Sequence, residues 1–471
     1  MDNLFSDFIL AHNAQPPNGG LLASTLSPES PVTNPGRLHE FLRSTNQYSV
    51  KTDVRYKLQY NPEVRLGRKE AAAWVEVYVA FYKFVSVLLE DEQNGSSSAS
   101  DSHKWGRVYD NWKEVVGALY KGYQGGFFAV WTIPCLYLAG KYLRVFAIKA
   151  DEGLVGAGEN DTAYYALQEG DEFKTERKND KLEDAARQIN RLFALCISDR
   201  NPLEESRKWA LYYIATLLFK THFRLNSISL SKNILRSLQT GTSDMPPWSA
   251  FPRSHQVSFQ YYCGVICFLD EDYVKADDYL SEAFAACPAN AGAVGVRNRE
   301  LILIYLIPTR LLTSRKLPSR ALLDQHPGLV QLFQPLVDSI RRGNLSAFNA
   351  ALENGEDQFV NRRVYLTLER GRDIILRNVF RKVFIAGGFE PPKEGDGGTP
   401  SRRTRVPIHE FAAALSLAGA EVGDGEGGID SDEVECLIAN AIYKNLMKGY
   451  IARERGIVVL SKAGAFPGTG V

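Results

Sequence analysis

The chain has 471 residues, of which 45% are hydrophobic and 11% aromatic, so it can bury a large core and is too long for one ordinary domain. Two or three domains, or one long array of repeats, are expected. Its 55 basic and 55 acidic residues cancel, which excludes nucleic-acid binding through overall positive charge and leaves only segregated patches. No run approaches about eighteen uninterrupted apolar residues, so no membrane-spanning segment and no membrane partner are expected.

The beginning of the chain differs in composition from the rest. MDNLFSDF lacks the basic and apolar segments of a secretory signal, and the six cysteines are scattered, which predicts reduced thiols in the cytosol or nucleus. Residues 1–50 are rich in Pro, Ser, Asn and Gly and predict a partly ordered N-terminal extension. Within it, LFSDFILA at 4–11 has the length of a short docking helix.

Helical periodicity dominates the next three hundred residues. From Lys69 onward, apolar side chains recur at three- and four-residue spacing, which places them on one helical face: Ala73, Val77, Ala80, Phe81, Phe84 and Leu88. Polar segments at 91–103 and 151–181 interrupt this pattern and predict surface loops. Almost no stretch before residue 450 alternates with a period of two, so residues 51–370 are predicted to form an α-helical repeat domain.

The segment YYCGVICFLDEDYVKADDYLSEAF at 261–284 gives the repeat unit most clearly. Apolar residues up to Leu269 share one face of a first helix. The acids at 270–272 end that helix and cap a second one, whose apolar face begins at Ala276. This is a helix-turn-helix of tetratricopeptide-like length, which needs stacked neighbours to bury its stripes. The two thiols, Cys263 and Cys267, are interpreted as packing residues because Cys287, twenty residues on, is the only further candidate ligand nearby in the sequence.

Motifs for catalysis and cofactor binding fail when their spacing is tested. AGKYLR at 139–144 lacks the first Gly and the final Ser or Thr of a phosphate-binding loop. GLVGAGEN at 153–160 has the wrong glycine spacing for a dinucleotide fold, and DGEGGIDSDEVE at 424–435 places Gly428 and Ile429 where a calcium loop needs other residues. The seven histidines are isolated. We therefore expect no catalytic residue, no metal, no cofactor and no enzymatic activity.

The carboxy-terminal part has a different order of elements. One helix is predicted around residues 374–383, a second at 408–417 and a third from Asp430, stopped by Gly449. Two strands come next, at 450–453 and 457–460, which is the order of a winged-helix domain. The predicted winged helix covers residues 371–465, with a C-terminal tail at 466–471, so the fold class is mostly α, with helical repeats running into a winged helix.

This is the layout of a PCI domain. Specific segments resemble the branch of PCI-domain proteins that contains the COP-nine signalosome subunit-twelve-like proteins and the PCI subunit of the TREX-two mRNA-export complex. The leader and residues 69–84 resemble the fungal subunit-twelve-like form. The resemblance covers about residues 50–465, and its clearest segments are FPRSHQVSFQYYCGVICFLDEDYVKADDYLSEAF (251–284), RELILIYLIPTRLL (299–312), RRGNLSAFNAALE (341–353) and DEVECLIANAIYKNLMKGYIARERGIVVLSK (432–462).

The resemblance implies a non-catalytic scaffold subunit of a nuclear complex, with the cytoplasm as a second location. Such a subunit couples transcription elongation to mRNA processing, including splicing, or to mRNA export. It forms a heterodimer with a second PCI-domain protein and binds the small acidic Sem/Dss protein along its helical repeats. The paired winged helices then bind RNA or DNA without sequence specificity. The alternative is a signalosome- or proteasome-lid-like interaction scaffold that does not bind nucleic acid.

The basic residues of the winged helix define a candidate nucleic-acid surface. Third-helix residues at four-residue spacing and two wing arginines are expected to contact phosphates together, and a further basic set lies on the first helix. An ordinary solvated face or a subunit contact is the competing interpretation. RRTR at 402–405 is interpreted as a charged loop in preference to an import signal. The predicted residues are Asn440, Lys444, Lys448, Arg453 and Arg455, together with Arg377, Arg381 and Lys382.

A second basic stretch is the candidate surface for the small acidic protein. Residues 297–320 carry six basic side chains against one acid, Glu300, which suits an extended acidic peptide. The competing interpretation is that these arginines cap helices or face the second PCI protein. The predicted partner-binding residues are Arg297, Arg299, Arg310, Arg315 and Lys316.

Overall fold

The structure is a computed structural model with two compact units, Met1–Ile266 and Cys267–Val471. Much of the predicted loops at 91–103 and 151–181, of the Gly/Pro-rich segment at 386–404 and of the segment 424–435, which was compared with a calcium loop, lies outside the described residues. The described residues are 2–61, 63–64, 66–90, 101–153, 179–240, 245–289, 292–390, 401–419, 430–462 and 464–469.

The first unit consists of helices, as the periodicity predicts. They are α1 (Asp2–Asn13), α2 (Gly19–Thr25), α3 (Arg37–Arg43), α4 (Val50–Gln59), α5 (Arg68–Leu89), α6 (Asp101–Gln124), α7 (Pro134–Gly153), α8 (Asp180–Ile197), α9 (Leu211–Arg224), α10 (Ile228–Thr240) and most of α11 (Arg253–Leu269).

Aromatic side chains form the core of this unit. Helix α5 packs on α4 and α6, and α6 packs on α7. The rings of Phe84 and Trp112 lie 4.8 Å apart, and those of Trp74 and Phe128 lie 4.2 Å apart. The indole Nε1 of Trp112 donates to the carbonyl oxygen of Ala139 at 3.0 Å, so its polar group is satisfied inside the core.

Helix α5 also has the length of a membrane-spanning helix. Among the described residues it alone is long and apolar enough to cross a bilayer. In its most apolar window, however, 61% of the residues are buried within the protein, including Tyr78 and Phe81 at 0% exposure. It is therefore placed as the central helix of the first unit's core.

The N-terminal segment differs from the predicted partly ordered extension. Helices α1 to α3 lie within residues 1–50, and Phe5 and Phe8 are 2% and 0% exposed. The ring of Phe8 stands edge-on to Trp74 of α5 at 5.7 Å. The predicted docking helix at 4–11 is thus confirmed, and it contributes to the core. The Pro- and Asn-rich composition reflects the short turns between these helices, such as Asn18, whose side chain caps α2.

The ends of the segment predicted as a loop at 151–181 are helical. Helix α7 runs to Gly153 and α8 begins at Asp180. The carboxylate of Asp151 accepts hydrogen bonds from the backbone amides of Lys181 and Leu182, at 3.1 and 2.9 Å. A side chain from the end of one helix therefore caps the start of the next, which fixes both ends of the segment.

The second unit contains further helices and the strands. Its helices are α12 (Tyr273–Ala286), α13 (Gly292–Thr313), α14 (Arg320–Leu323), α15 (Pro327–Arg342), α16 (Leu345–Asn354), α17 (Glu356–Asn361), α18 (Tyr365–Glu369), α19 (Arg372–Ala386), α20 (Ile408–Leu417) and α21 (Ser431–Tyr443). Its strands are β1 (Phe389–Glu390), β2 (Ser401–Arg402), β3 (Arg405–Pro407), β4 (Gly449–Ala452) and β5 (Ile457–Leu460).

The helix-turn-helix predicted at 261–284 is present as α11 and α12. Helix α11 ends at Leu269, Glu271 adopts a left-handed backbone conformation, and the carboxylate of Asp272 accepts from the amide of Lys275. The acidic turn therefore ends α11 and then caps α12, as the sequence predicts.

The boundary predicted near residue 370 does not separate the compact units. Helices α15 and α16 pack directly on α19, the first helix of the winged module. The side-chain amide of Asn378 in α19 also donates to the carbonyl oxygen of Ile340 at 3.0 Å. Because these contacts join helical repeats to the winged helix, both belong to one unit.

The winged helix has three helices and a three-stranded sheet. Helices α19, α20 and α21 pack on one another, and the antiparallel sheet has the order β3-β5-β4. Val406 and Val458 are in register on the buried face of this sheet, at 0% exposure each. The predicted hairpin is confirmed, with Gly456 at φ +60° closing the wing. Strand β3 was not predicted, because three residues after a Gly/Pro-rich segment carry no readable alternation.

Candidate nucleic-acid and partner surfaces

The third helix of the winged module ends earlier than predicted. Asn445 takes a left-handed conformation with φ 53°, and the amides of Asn445 and Leu446 donate to the carbonyl oxygens of Ile442 and Ala441. This is a Schellman stop, in which Asn replaces the usual Gly. Gly449 instead lies in β4, where a Cβ atom would meet the carbonyl oxygen of Val459 at 2.4 Å.

The predicted row of third-helix residues is therefore broken. Asn440 is exposed on α21, Lys444 is the residue that ends the helix, and Lys448 lies beyond it, immediately before β4. The ammonium group of Lys444 is ion-paired with Asp373 at 2.6 Å. Of the three, only Lys448 is an exposed cation without a carboxylate partner among the described residues.

The two wing arginines also differ from each other. The guanidinium of Arg453 pairs with Asp432 at 2.8 Å and lies 3.6 Å from Glu435, so the wing is tied to the start of α21. Arg455, at the tip of the wing, is exposed and has no ion-pair partner in the described part of the chain. The acids that open α21 thus neutralise one predicted phosphate contact and leave the other.

The basic set on the first helix is less accessible than predicted. Arg377 is only 5% exposed, and its Nη2 donates to the carbonyl oxygen of Pro467 at 2.7 Å. Arg381 is partly buried, and Lys382 is exposed but donates to the carbonyl oxygen of Arg342. Arg377 is therefore a buried residue and not the surface phosphate contact that was predicted. Its position results from helical phase, because it shares the face of Ile374 that packs inward.

The sheet of the winged helix carries a basic and aromatic face that the sequence pattern does not predict. Arg405 of β3 and Tyr450 of β4 are both in register with Val459 of the central strand, so their side chains lie on the same face. That face is opposite the buried Val458, and Tyr450 is 63% exposed. Lys448 precedes Tyr450 by two residues and shares its face. Arg405 belongs to the RRTR segment, whose ends lie in strands β2 and β3 instead of the predicted loop.

On the predicted partner stretch, two half-buried arginines contact α12 and its end. The guanidinium of Arg310 donates to Asp277 at 3.3 Å and to the hydroxyl of Ser281 at 2.9 Å. The guanidinium of Arg299 lies 3.9 Å from the ring centre of Phe284 and donates to the carbonyl oxygen of Cys287 at 3.0 Å. These contacts hold α13 against α12.

The other three predicted partner residues lie nearer to solvent. Arg297 is exposed on α13, and Lys316 is exposed in the turn after this helix. Arg315 is partly buried and points its Nη1 toward the carbonyl oxygen of Pro467 at 3.5 Å. Arg320, the first residue of α14, is exposed on the same stretch. Arg297, Lys316 and Arg320 are thus the exposed cations of this stretch, and Lys316 and Arg320 lie together around the start of α14.

The thiols and carboxylates form no reactive cluster in the described part of the chain. Cys263 and Cys267 are 0% and 8% exposed, which agrees with their interpretation as packing residues. Burial raises the pKa of the Cys196 thiol to about 12, so it stays protonated at neutral pH. Within the described residues there is no group of three or more His, Cys, Asp or Glu side chains arranged to hold a metal.

Comparison with known proteins places the chain in a family. Residues 352–462, from α16 to just beyond β5, match the PCI domain family. A protein of Neurospora crassa named Protein CSN12 homolog is 51% identical over 477 aligned residues, which cover 100% of both chains. This chain belongs to the CSN12 homolog family.

Two further relatives come from other organisms. The CSN12 homolog of Schizosaccharomyces pombe is 33% identical, over 86% of this chain and 85% of the relative. PCI domain-containing protein 2 of Xenopus laevis is 30% identical, over 79% and 81%. The resemblance to the fungal subunit-twelve-like form is therefore confirmed. Membership of the CSN12 homolog family and the PCI domain identify the chain as a scaffold subunit of the PCI type.

Proposed function

We propose that this chain is a non-catalytic scaffold that pairs with a second PCI-domain protein and a small acidic protein in the nucleus, and that the assembly binds RNA or DNA without sequence specificity. Its role would be to couple transcription to mRNA processing or export. The observation that carries the nucleic-acid part is the outer face of the winged-helix sheet, together with the wing tip.

Four exposed side chains make up this surface, which we call the wing face: Arg405, Lys448, Tyr450 and Arg455. None of its three cations has a carboxylate partner within the described residues. Strand spacing puts the Arg405 and Tyr450 positions about 10 Å apart, which is within reach of neighbouring nucleotides. Arg and Lys would contact phosphates, and the exposed ring of Tyr450 would stack on an unpaired base.

Charge reversal of the wing face tests this proposal. The variant Arg405→Glu/Lys448→Glu/Arg455→Glu is expected to weaken binding of single-stranded RNA by about 100-fold or more, because three phosphate contacts become repulsive. The slope of log affinity against log salt concentration should fall by about three. Fluorescence anisotropy of the purified assembly with a labelled oligonucleotide, measured at several salt concentrations, gives both quantities.

A matched control reverses the charge of three exposed cations of the first unit, so that the net charge changes by the same amount. These residues are Arg43, Arg55 and Lys121. The variant Arg43→Glu/Arg55→Glu/Lys121→Glu should bind RNA as the wild type does. Equal binding by the wing-face variant and the wild type would contradict the proposal. The protein would then be the interaction-only scaffold of signalosome or lid type, which the internal pairing of Lys444 and Arg453 favours.

The small acidic partner is proposed to bind beside α13 and α14. Lys316→Glu/Arg320→Glu is expected to lower retention of that partner about tenfold at physiological salt, with a smaller difference at high salt. Copurification of the tagged chain with the acidic protein measures this, and Arg236→Glu/Arg253→Glu in the first unit is the matched control. Arg310 is unsuitable, because its reversal would place a carboxylate beside Asp277. Unchanged retention in Lys316→Glu/Arg320→Glu would remove this surface from consideration.

A further inference from the structure

Two guanidinium groups of the second unit, those of Arg315 and Arg377, share one acceptor, and the side chain of Arg381 follows one helical turn after Arg377. Arg315 lies just after α13, while Arg377 and Arg381 lie one turn apart on α19. Arg315 and Arg377 both donate to a single acceptor, the carbonyl oxygen of Pro467, at 3.5 and 2.7 Å. Two positive charges therefore lie within a few ångströms of each other, and the charge of Arg381 also acts on Arg377.

The hydrogen-bonding capacity of this cluster is not filled. The Nε atoms of Arg377 and Arg381 are buried and have no hydrogen-bond partner within the described residues. No carboxylate in those residues forms an ion pair with any of the three side chains. Burial, and then the charges of Arg315 and Arg381, lower the pKa of Arg377. A guanidinium nevertheless remains protonated near neutral pH, so the repulsion persists.

A buried positive cluster of this kind is costly unless an anion balances it. The planar donor edges of arginine match the oxygens of a phosphate in a bidentate manner. Arg377 is 5% exposed, whereas Arg315 and Arg381 are partly accessible, so an anion that reaches all three side chains must be small and compact. A phosphodiester within a nucleic-acid strand, flanked by two sugars, fits such a buried arginine poorly.

We propose that Arg315, Arg377 and Arg381 form a binding site for a phosphate group carrying two negative charges, supplied by a free phosphate compound or by the terminal phosphate of a larger molecule. This site does not depend on the proposed binding of nucleic acid at the wing face. The bound anion would remove the repulsion between the three cations and stabilise the second unit around residues 464–469.

Inorganic phosphate and pyrophosphate are the probes for the test. Phosphorus NMR of the full chain should give line broadening that saturates with protein concentration, and the unfolding temperature should rise relative to chloride at equal ionic strength. Arg315→Gln and Arg381→Gln are each expected to weaken binding about 10- to 100-fold, because a charged hydrogen bond is lost. Lys382→Gln, an exposed cation beside Arg381, is the matched control and should bind as the wild type does.

Single-stranded RNA with and without a 5′-phosphate distinguishes the two sources of the group. Displacement of pyrophosphate only by the 5′-phosphorylated strand would assign the site to terminal phosphates, and displacement by neither strand would assign it to free phosphates. The wing-face variant should keep phosphate binding, so failure of one proposal is separable from failure of the other. The absence of binding in the wild type, or equal binding by Arg315→Gln, Arg381→Gln and Lys382→Gln, would overturn the site.

Discussion

Replacement of Asp199 by alanine is expected to destabilise the first unit by about 3–5 kcal/mol, because it leaves a positive charge without its buried partner. The side chain of Asp199 is 2% exposed and that of Arg207 is 17% exposed, and their charged groups lie 2.7 Å apart. The same carboxylate accepts from the backbone amide of Arg207 at 2.7 Å. Arg207 in turn donates to the carbonyl oxygen of Tyr123 in α6, so the pair anchors the turn before α9 to a core helix.

Tryptophan fluorescence during urea unfolding measures this effect selectively. All six tryptophans lie in the first unit: Trp74, Trp105, Trp112, Trp131, Trp209 and Trp248. The exposed pair of Lys51 and Glu76, with side chains 53% and 58% exposed, supplies the control. Glu76→Ala should change the unfolding free energy by about 0–1 kcal/mol. Equal effects of Asp199→Ala and Glu76→Ala would contradict a structural role for the buried pair.

The same carboxylate predicts a dependence of stability on pH. Burial raises the pKa of Asp199, but hydrogen bonds and charge attraction from Arg207 outweigh this and lower it from 3.8 to about 2. Because the folded-state pKa is lower than the unfolded one, this stabilisation is complete above about pH 4 and is lost as the pH falls toward 2. In Asp199→Asn, which cannot titrate, the fall in unfolding free energy across this window should be smaller than in the wild type.

Replacement of Phe8 by alanine is expected to destabilise the first unit by about 3–5 kcal/mol as well. Phe8 lies within a segment whose composition is typical of disorder, yet it is 0% exposed. Its ring contacts the rings of Trp74 and Tyr78 at 5.7 and 6.0 Å, edge-on in both cases. The substitution would leave a cavity beside α5, the central helix of the unit, and the urea midpoint of tryptophan fluorescence should fall.

Leu10, on the same helix and 64% exposed, provides the control. Leu10→Ala shortens a large apolar side chain that is exposed to solvent. It should change the unfolding free energy by less than about 0.5 kcal/mol. If Phe8→Ala and Leu10→Ala give the same urea midpoint, the N-terminal helix does not contribute to the core.

Much of the fold could be predicted because local patterns determine it. The apolar period of α5, the cap at Asp272 and the wing turn closed by Gly456 each depend on a few consecutive residues. Helix α1 was recognised as a helix, but its place in the core was not. Its apolar side chains meet partners on α5 about 70 residues away, and such long-range contacts leave no signal within a local window.

The candidate sites could be predicted only as sets of charges. The sequence identifies basic residues near the wing, but it does not say that Asp373 and Asp432 neutralise Lys444 and Arg453. Nor does it reveal that Arg405 shares a sheet face with Tyr450, because a strand register joins residues 45 positions apart. Which cations remain available depends on these pairings.

The sequence by itself determined that the chain is helical and ends in a winged helix, because periodicity, caps and turn residues act within a few residues of one another. Only the tertiary structure decided which charges face solvent, which are paired and which are buried with no counterion among the described residues, as at Arg377. The physical reason is that the energy of a charge depends on its burial and on the distance to every other charge, and both quantities arise only when distant segments pack together.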